Sequence, residues 1–199
     1  PNSLKIKGET LGNVHFAIDY LVNPDSYKLG DRVAIIGAGN SAMDVARTAL
    51  RKGAKEVTVY LRSDVIRASI REVEYAKIDG VRFVYSKSPV EITEEGPIFA
   101  DIETDEDGNK TVVAGSEKLY PADSTIVAVS QGPKDKIITS TTGIDVNKKG
   151  LIITNEEGAT TRPGIFASGD VVKGAKTVVE AVHYSKQVAD AMDEYMSRL

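Results

Sequence analysis

The chain has 199 residues, 41% hydrophobic and 27% charged, which suits one globular domain or two small ones with a buried core. A net charge of −4 and a pI near 5.3 argue against nucleic acid and anionic membranes as partners. Zero cysteines exclude disulfides, thiol redox chemistry and cysteine metal sites within the chain, and two histidines, His15 and His183, are too few for a metal centre or a His-based triad. No apolar run approaches the roughly 20 residues of a transmembrane helix, so no membrane insertion is expected and a cytoplasmic setting is the default.

In chain order, Asn13 to Leu21 (NVHFAIDYL) places Val14, Ala17, Ile18 and Leu21 at helical spacing and predicts a helix. NPDSYKLGD follows as a linker, and DRVAIIG reads as a buried strand ending in glycine. Asn40 to Lys52 gathers Ala42, Val45, Ala46, Ala49 and Leu50 on one helical face and stops at Gly53. EVTVYLR (Glu56 to Arg62) predicts a second strand, Ser69 to Ile78 a helix, and VRFVY (Val81 to Tyr85) a third strand. This β-α-β-α-β order implies a parallel sheet with crossover helices. PIFADIET and KTVVAGSEKLY flank the turn DEDGN as an antiparallel hairpin, and the acidic residues Asp105 to Asp107 read as a solvated turn rather than a cation site. STIVAVS (Ser124 to Ser130) returns as a strand to the first sheet; LIIT and GIFAS are further strands. A final helix is expected to bury Val178, Val182, Ala189, Met192 and Met196 as one stripe.

The first chemical signal is IIGAGNSAMD, which carries G-x-G-x-x-A at Gly37, Gly39 and Ala42. Gly37 permits a tight strand-to-helix turn, Gly39 lets a pyrophosphate approach the backbone, and Ala42 lets helix and strand pack closely. The N–H groups of Asn40, Ser41 and Ala42 are then expected to meet the phosphate at the positive end of the helix. A glycine motif alone is weak, but here a strand precedes it, an amphipathic helix follows and a second strand arrives on schedule. At the end of that second strand, where an acidic residue would bind the adenosine ribose of NAD(H), the chain has Tyr60-Leu61-Arg62-Ser63. A guanidinium suits a 2′-phosphate, so NADP(H) is favoured, with Arg62 the primary contact, Ser63 a helper and Arg67 a second cation. The plainer reading is that both arginines are surface charges, and the nearby Asp64 keeps NAD(H) open.

The second signal is GIFASGDVVKGAKTVVEA, where Gly169-Asp170 joins a short strand to a long helix. On the residues alone, Asp170 is equally a structural turn or cap and a cofactor ligand. His15 and His183 read as packed or surface residues.

Taken together, these motifs resemble the flavin-dependent NAD(P)H oxidoreductases of the glutamate synthase small-subunit type, within the pyridine nucleotide-disulfide oxidoreductase superfamily. The likeness runs through LKIKGETLGNVHFAIDYL, VAIIGAGNSAMDVARTALRKGAKEVTVYLR, GVRFVYSKSPVEI, AVSQGP and TTRPGIFASGDVVKGAKTVVEAVHYSKQVADAM, in the family's order. Leu61 stands where the family often has the first of two arginines, which weakens the NADP(H) assignment; Ser130 and Ser185 stand where glycines are usual. Thioredoxin reductases share the architecture but carry a cysteine pair that this chain lacks.

The resemblance implies an α/β fold: a Rossmann-like three-layer nicotinamide-nucleotide-binding domain over residues 25–130 with an antiparallel β insertion, and incomplete FAD-binding segments at 1–24 and 131–199. It implies hydride transfer from NADPH to FAD and onward to an iron–sulfur or other acceptor, with no general acid or base in this chain. Ser130 would lie near the nicotinamide. Gly169 and Asp170 would meet the ribityl end of FAD, and the helix start at Thr177 and Val178 would face the flavin ring, where its dipole favours the reduced, anionic form. No second glycine-rich turn precedes Gly37, and the chain starts at Pro1 rather than Met. The expectation is therefore the C-terminal part of a larger reductase, inactive alone. Its implied partners are the missing N-terminal FAD-binding and iron–sulfur regions and a large subunit or ferredoxin-like acceptor. The alternative is a standalone NAD(P)-binding module without catalysis.

Overall fold

The computed structural model describes residues 2–132, 138 and 140–198. They form two compact units, the first ending at Ser130 and the second beginning at Gln131.

In the first unit, strand β1 (Val14–Phe16) runs directly into helix α1 (Ala17–Val22). The helix expected over residues 13–21 is therefore half strand: Val14 pairs with Thr125 and Phe16 with Val127, and the aromatic and β-branched side chains here pack on a pleated surface better than on a helix. Strand β2 (Arg32–Ile36), helix α2 (Asn40–Arg51), strand β3 (Glu56–Tyr60), helix α3 (Ile70–Ile78) and strand β4 (Arg82–Val84) follow. Ser69 caps α3 by accepting the Glu72 N–H. An antiparallel insertion then contributes β5 (Lys87–Thr93), β6 (Gly96–Thr104), β7 (Lys110–Val112) and β8 (Lys118–Leu119), with β5, β7 and β8 all pairing with β6. Strand β9 (Ser124–Val127) returns to the parallel sheet, whose order is β1-β9-β2-β3-β4.

The period-2 alternation of β2 sorts its side chains into two cores. Val33 and Ile35 pack toward the helices with Met43, Val45, Ala46, Val57 and Val59, whereas Ala34 and Ile36 pack with Tyr60, Ile92, Phe99 and Ala122 toward the insertion. The parallel sheet is thus covered on both faces, as a parallel sheet requires. Tyr60 stacks on Phe99 at 4.5 Å and Tyr120 meets both rings edge-on, a buried setting that pushes the Tyr60 hydroxyl up to about 12. Within residues 2–24, β1 extends the sheet of this first unit, and Ala17 and Tyr20 are buried in its helical core.

The second unit contains, among the described residues, a set of isolated antiparallel bridges, the short helix α4 (Asp170–Lys173) and the long helix α5 (Val178–Met196). LIIT and GIFAS, expected as strands, make only single bridges: Ile152 to Val146, Thr154 to Thr160, and Phe166 to Ala159. The expected buried stripe of α5 is also displaced. Val178, Val182, Ala189, Met192 and Met196 are exposed, and the helix instead turns Ala181, Tyr184, Val188 and Ala191 inward. Gly158 fixes this choice, because a Cβ there would fall 2.4 Å from a Val188 methyl.

Candidate functional site

β2 ends at Ile36 in register with Tyr60 of β3, and the Gly37 N–H donates to the Tyr60 carbonyl at 3.2 Å. The turn then passes so close to β9 that a Cβ on Gly37 would lie 2.4 Å from the Ala128 carbonyl oxygen. Gly39, the N-cap of α2, has nothing within 4 Å of where its Cβ would project. The first glycine is thus required by the fold, and the second keeps a surface open. This turn sits where β3 and β4 lie to one side of β2 and β9 to the other, the topological switch at the carboxyl edge of the sheet.

Among the described residues the N–H groups of Asn40 and Ser41 have no hydrogen-bond partner, as expected for the first positions of a helix. Ala42 differs from expectation: its N–H donates to the Gly39 carbonyl at 3.0 Å, and its fully buried methyl serves packing. The segment after β3 folds back over the turn. The Arg67 and Ala68 N–H groups both donate to the Ala38 carbonyl at 2.9 Å, and the Ser69 N–H donates to Asn40 Oδ1 at 2.8 Å. Asn40 thereby ties the turn to the cap of α3, a tertiary role its sequence position did not disclose.

Arg62 is exposed at the end of β3, and Arg67 is exposed five residues later; neither makes an ion pair among the described residues. Leu61, by contrast, is 1% exposed in the helical core, which explains an apolar residue beside Arg62. Ser63 donates to Asp64 Oδ1 at 3.1 Å and accepts the Val65 N–H at 3.2 Å. It also accepts from Lys110 Nζ at 2.8 Å, and that ammonium lies 3.6 Å from Asp64 Oδ1. Asp64's own backbone N–H, the Ser63 hydroxyl and the Lys110 charge hold its carboxyl below the usual range. Lys110 escaped the sequence reading because it reaches the site from the insertion, 47 residues away, and no local pattern marks it.

Ser130 is exposed and adopts φ 58, a left-handed conformation in which a glycine would be easier, and its carbonyl accepts the Asn2 N–H at 3.2 Å. Pro133, the end of the AVSQGP segment, lies outside the described residues.

In the second unit Gly169 has φ 72 and ψ −145, a region open essentially to glycine alone. It presents Asp170 as the first residue of α4, exposed, with Oδ1 accepting the Lys176 N–H at 3.3 Å and Oδ2 unpartnered among the described residues. Thr177 caps α5 in a capping box: it accepts the Glu180 N–H at 3.2 Å while its own N–H donates to Glu180 Oε2 at 3.1 Å. That backbone donation, with the Thr177 hydroxyl, lowers the Glu180 pKa. Val178 is 79% exposed at the start of the helix. A cavity of about 250 Å³ lies beside this cap, lined by Gly169, Lys173, Lys176, Glu180, Ala181 and Tyr184. The Gly37 turn and the Arg62 loop are thus brought together within the first unit, and Gly169, Asp170, Thr177 and Val178 form a second locus within the second.

His15 stacks edge-on against Tyr27 at 5.0 Å, and burial lowers its pKa; it is a packed residue. Asp105 is closed into its turn by the backbone and side-chain N–H groups of Asn109. Among the described residues no cluster of three metal-ligating side chains occurs, and no helix is long and apolar enough to cross a membrane.

Comparison with known proteins agrees with this layout. The profile of the pyridine nucleotide-disulphide oxidoreductase family matches residues 1–186. The chain is 36% identical to the small chain of NADPH glutamate synthase from Halomonas elongata, over 95% of this chain and 46% of that protein. It is 36% identical to the beta subunit of an NADP(+)-dependent formate dehydrogenase from Moorella thermoacetica, over 84% of this chain and 25% of that one. The chain therefore spans less than half the length of these relatives. Thioredoxin reductase from T. acidophilum superposes with a TM-score of 0.73 at 22% identity, covering 99% of this chain and 62% of that one, which establishes a shared fold. The chain belongs to the pyridine nucleotide-disulphide oxidoreductase family.

Proposed function

We propose that this chain is the nicotinamide-nucleotide-binding portion, with part of the flavin-binding portion, of an NADPH-dependent flavin oxidoreductase of the glutamate synthase small-subunit type. The observation that carries the reading is the Gly37 turn. Two helix N–H groups lie behind an open Gly39 at the switch point of a parallel sheet, with Arg62 and Arg67 exposed after the next strand, and neither these N–H groups nor the two guanidinium groups have a partner among the described residues. That combination recognises a pyrophosphate whose adenosine ribose carries a further anion.

In this reading Asn40 and Ser41 donate to the pyrophosphate, and Ala42 sets the close packing that holds those donors in place. Arg62, helped by Ser63 and Arg67, binds the 2′-phosphate. Ser130 borders the nicotinamide. The free Oδ2 of Asp170 fits a hydroxyl donor of the flavin's ribityl chain. The uncapped N–H groups of Val178 and Val179, beyond the box made by Thr177, would face the flavin ring. The chemistry these groups would supply when bound is hydride donation by the nicotinamide and onward electron transfer by the flavin to an iron–sulfur or similar acceptor. The chain contributes position and electrostatics to that transfer. The N-terminal flavin-binding and iron–sulfur regions, and a large subunit or ferredoxin-like acceptor, are the proposed partners.

Isothermal titration of the chain with NADPH and NADH tests the assignment. Arg62→Ala is expected to weaken NADPH by about tenfold or more, the worth of one charge-assisted hydrogen bond, while NADH changes little. Equal losses for the two nucleotides would show that Arg62 is a surface charge.

A further inference from the structure

At the tip of β3, Ser63, Asp64 and Lys110 form a closed cluster that joins the nucleotide-binding loop to the antiparallel insertion. Lys110 is the first residue of β7, held opposite Thr104 of β6. Its ammonium reaches across to Ser63 Oγ at 2.8 Å and stands 3.6 Å from Asp64 Oδ1, while Ser63 bonds the same carboxylate at 3.1 Å. The Asp64 side chain is 79% exposed, so it faces any ligand arriving at this loop.

The chemistry of the two candidate cofactors differs at this point. A ribose with a free 2′-hydroxyl needs an acceptor, which Asp64 supplies. A 2′-phosphate is a dianion that Asp64 repels and that only a local excess of cations can hold. We propose that Lys110 determines the choice of cofactor: it neutralises Asp64 and shares its ammonium with the 2′-phosphate, so that NADP(H) is accepted beside a carboxylate. The proposal rests on reading the Gly37 turn and Arg62 loop as a dinucleotide site. It assigns to the insertion a part in recognition that is independent of Arg62.

Lys110 and Asp64 act on the two nucleotides in opposite directions, which a merely structural pair would not do. The test is calorimetric titration of the whole chain with NADP+ and NAD+. Lys110→Ala is expected to weaken NADP+ by about tenfold or more and to leave NAD+ within about twofold. Lys110→Arg is expected to restore NADP+. Asp64→Asn, which leaves the hairpin untouched, is expected to strengthen NADP+ and weaken NAD+, and the gap between Lys110→Ala and the parent chain is expected to narrow at high salt. Equal changes for both nucleotides in Lys110→Ala, or no shift of preference in Asp64→Asn, would overturn the role of this cluster while leaving the dinucleotide site standing. A parent chain that binds neither nucleotide would overturn both.

Discussion

Gly37 and Gly39 sit two residues apart and do different work, and the difference is measurable. A methyl on Gly37 would meet the Ala128 carbonyl at 2.4 Å in a backbone conformation of φ 152. Gly37→Ala is therefore expected to cost about 1–3 kcal/mol of stability, seen as a lower urea midpoint, because neither main chain can yield without moving a strand. A methyl on Gly39 meets open space at φ −94. Gly39→Ala is expected to unfold like the parent yet lose nucleotide affinity, since the methyl occupies the approach of the phosphate. A Gly39→Ala chain that binds NADP+ normally would contradict the proposed close approach. The turn that carries both glycines was legible in the sequence, because its cause is local: strand, turn and helix follow one another directly. Lys110 was illegible for the opposite reason. Its relation to Ser63 exists only once β6 and β7 pair, and no spacing along the chain encodes it. The bond from the Ala42 N–H to the Gly39 carbonyl is a tightening of the helix start that the motif does not encode.

At the scale of elements, strands buried on both faces read clearly, and elements whose surroundings change did not. After their charged first residues, RVAII and EVTVY are continuous runs of apolar or β-branched side chains, and both lie inside the sheet rather than at its edges. NVHFAIDYL shows helical spacing, but its first half is claimed by pairing to β9, a tertiary contact that overrides local periodicity. The α5 stripe is displaced for a related reason: Val188 packs over Gly158 and Tyr195 meets Phe166 edge-on, contacts that leave Val178, Val182, Met192 and Met196 exposed. The join between β2 and β9 depends on Asp123. Its Oδ2 accepts the Asp31 and Arg32 N–H groups at 2.9 and 2.8 Å, and its Oδ1 accepts Arg32 Nη2 at 2.7 Å. Hydrogen bonds from the Arg32 side chain and backbone hold the Asp123 carboxyl below the usual range. Its contribution is therefore complete above the ordinary aspartate pKa and is lost as pH falls through the lowered folded value. The urea midpoint is expected to drop on acidification through that window, and Asp123→Asn is expected to flatten this dependence. An unchanged acid limb in Asp123→Asn would remove Asp123 from the explanation.

Over the whole molecule, apolar burial is uneven. The first unit holds two cores on either side of the sheet, whereas Val188 is the one buried hydrophobic side chain of the second among the described residues. Val178, Val179, Val182 and Met196 are each at least half exposed. Amides of residues 140–198 are accordingly expected to exchange with deuterium well before those of β2, β3 and β9, because little apolar contact opposes their local opening. Equal protection in both units would contradict this ranking. The chain spans under half of the two relatives compared with it, so electron transfer is proposed at the length of those relatives and nucleotide recognition is proposed for these residues.

That claim is tested most directly by titrating the isotopically labelled chain with 2′,5′-ADP and following backbone amide shifts. The largest shifts are expected at Gly39, Asn40 and Ser41 and at Arg62 to Asp64, with 5′-AMP leaving Arg62 much less shifted than 2′,5′-ADP does. Shifts confined to other residues, or none at all, would contradict it.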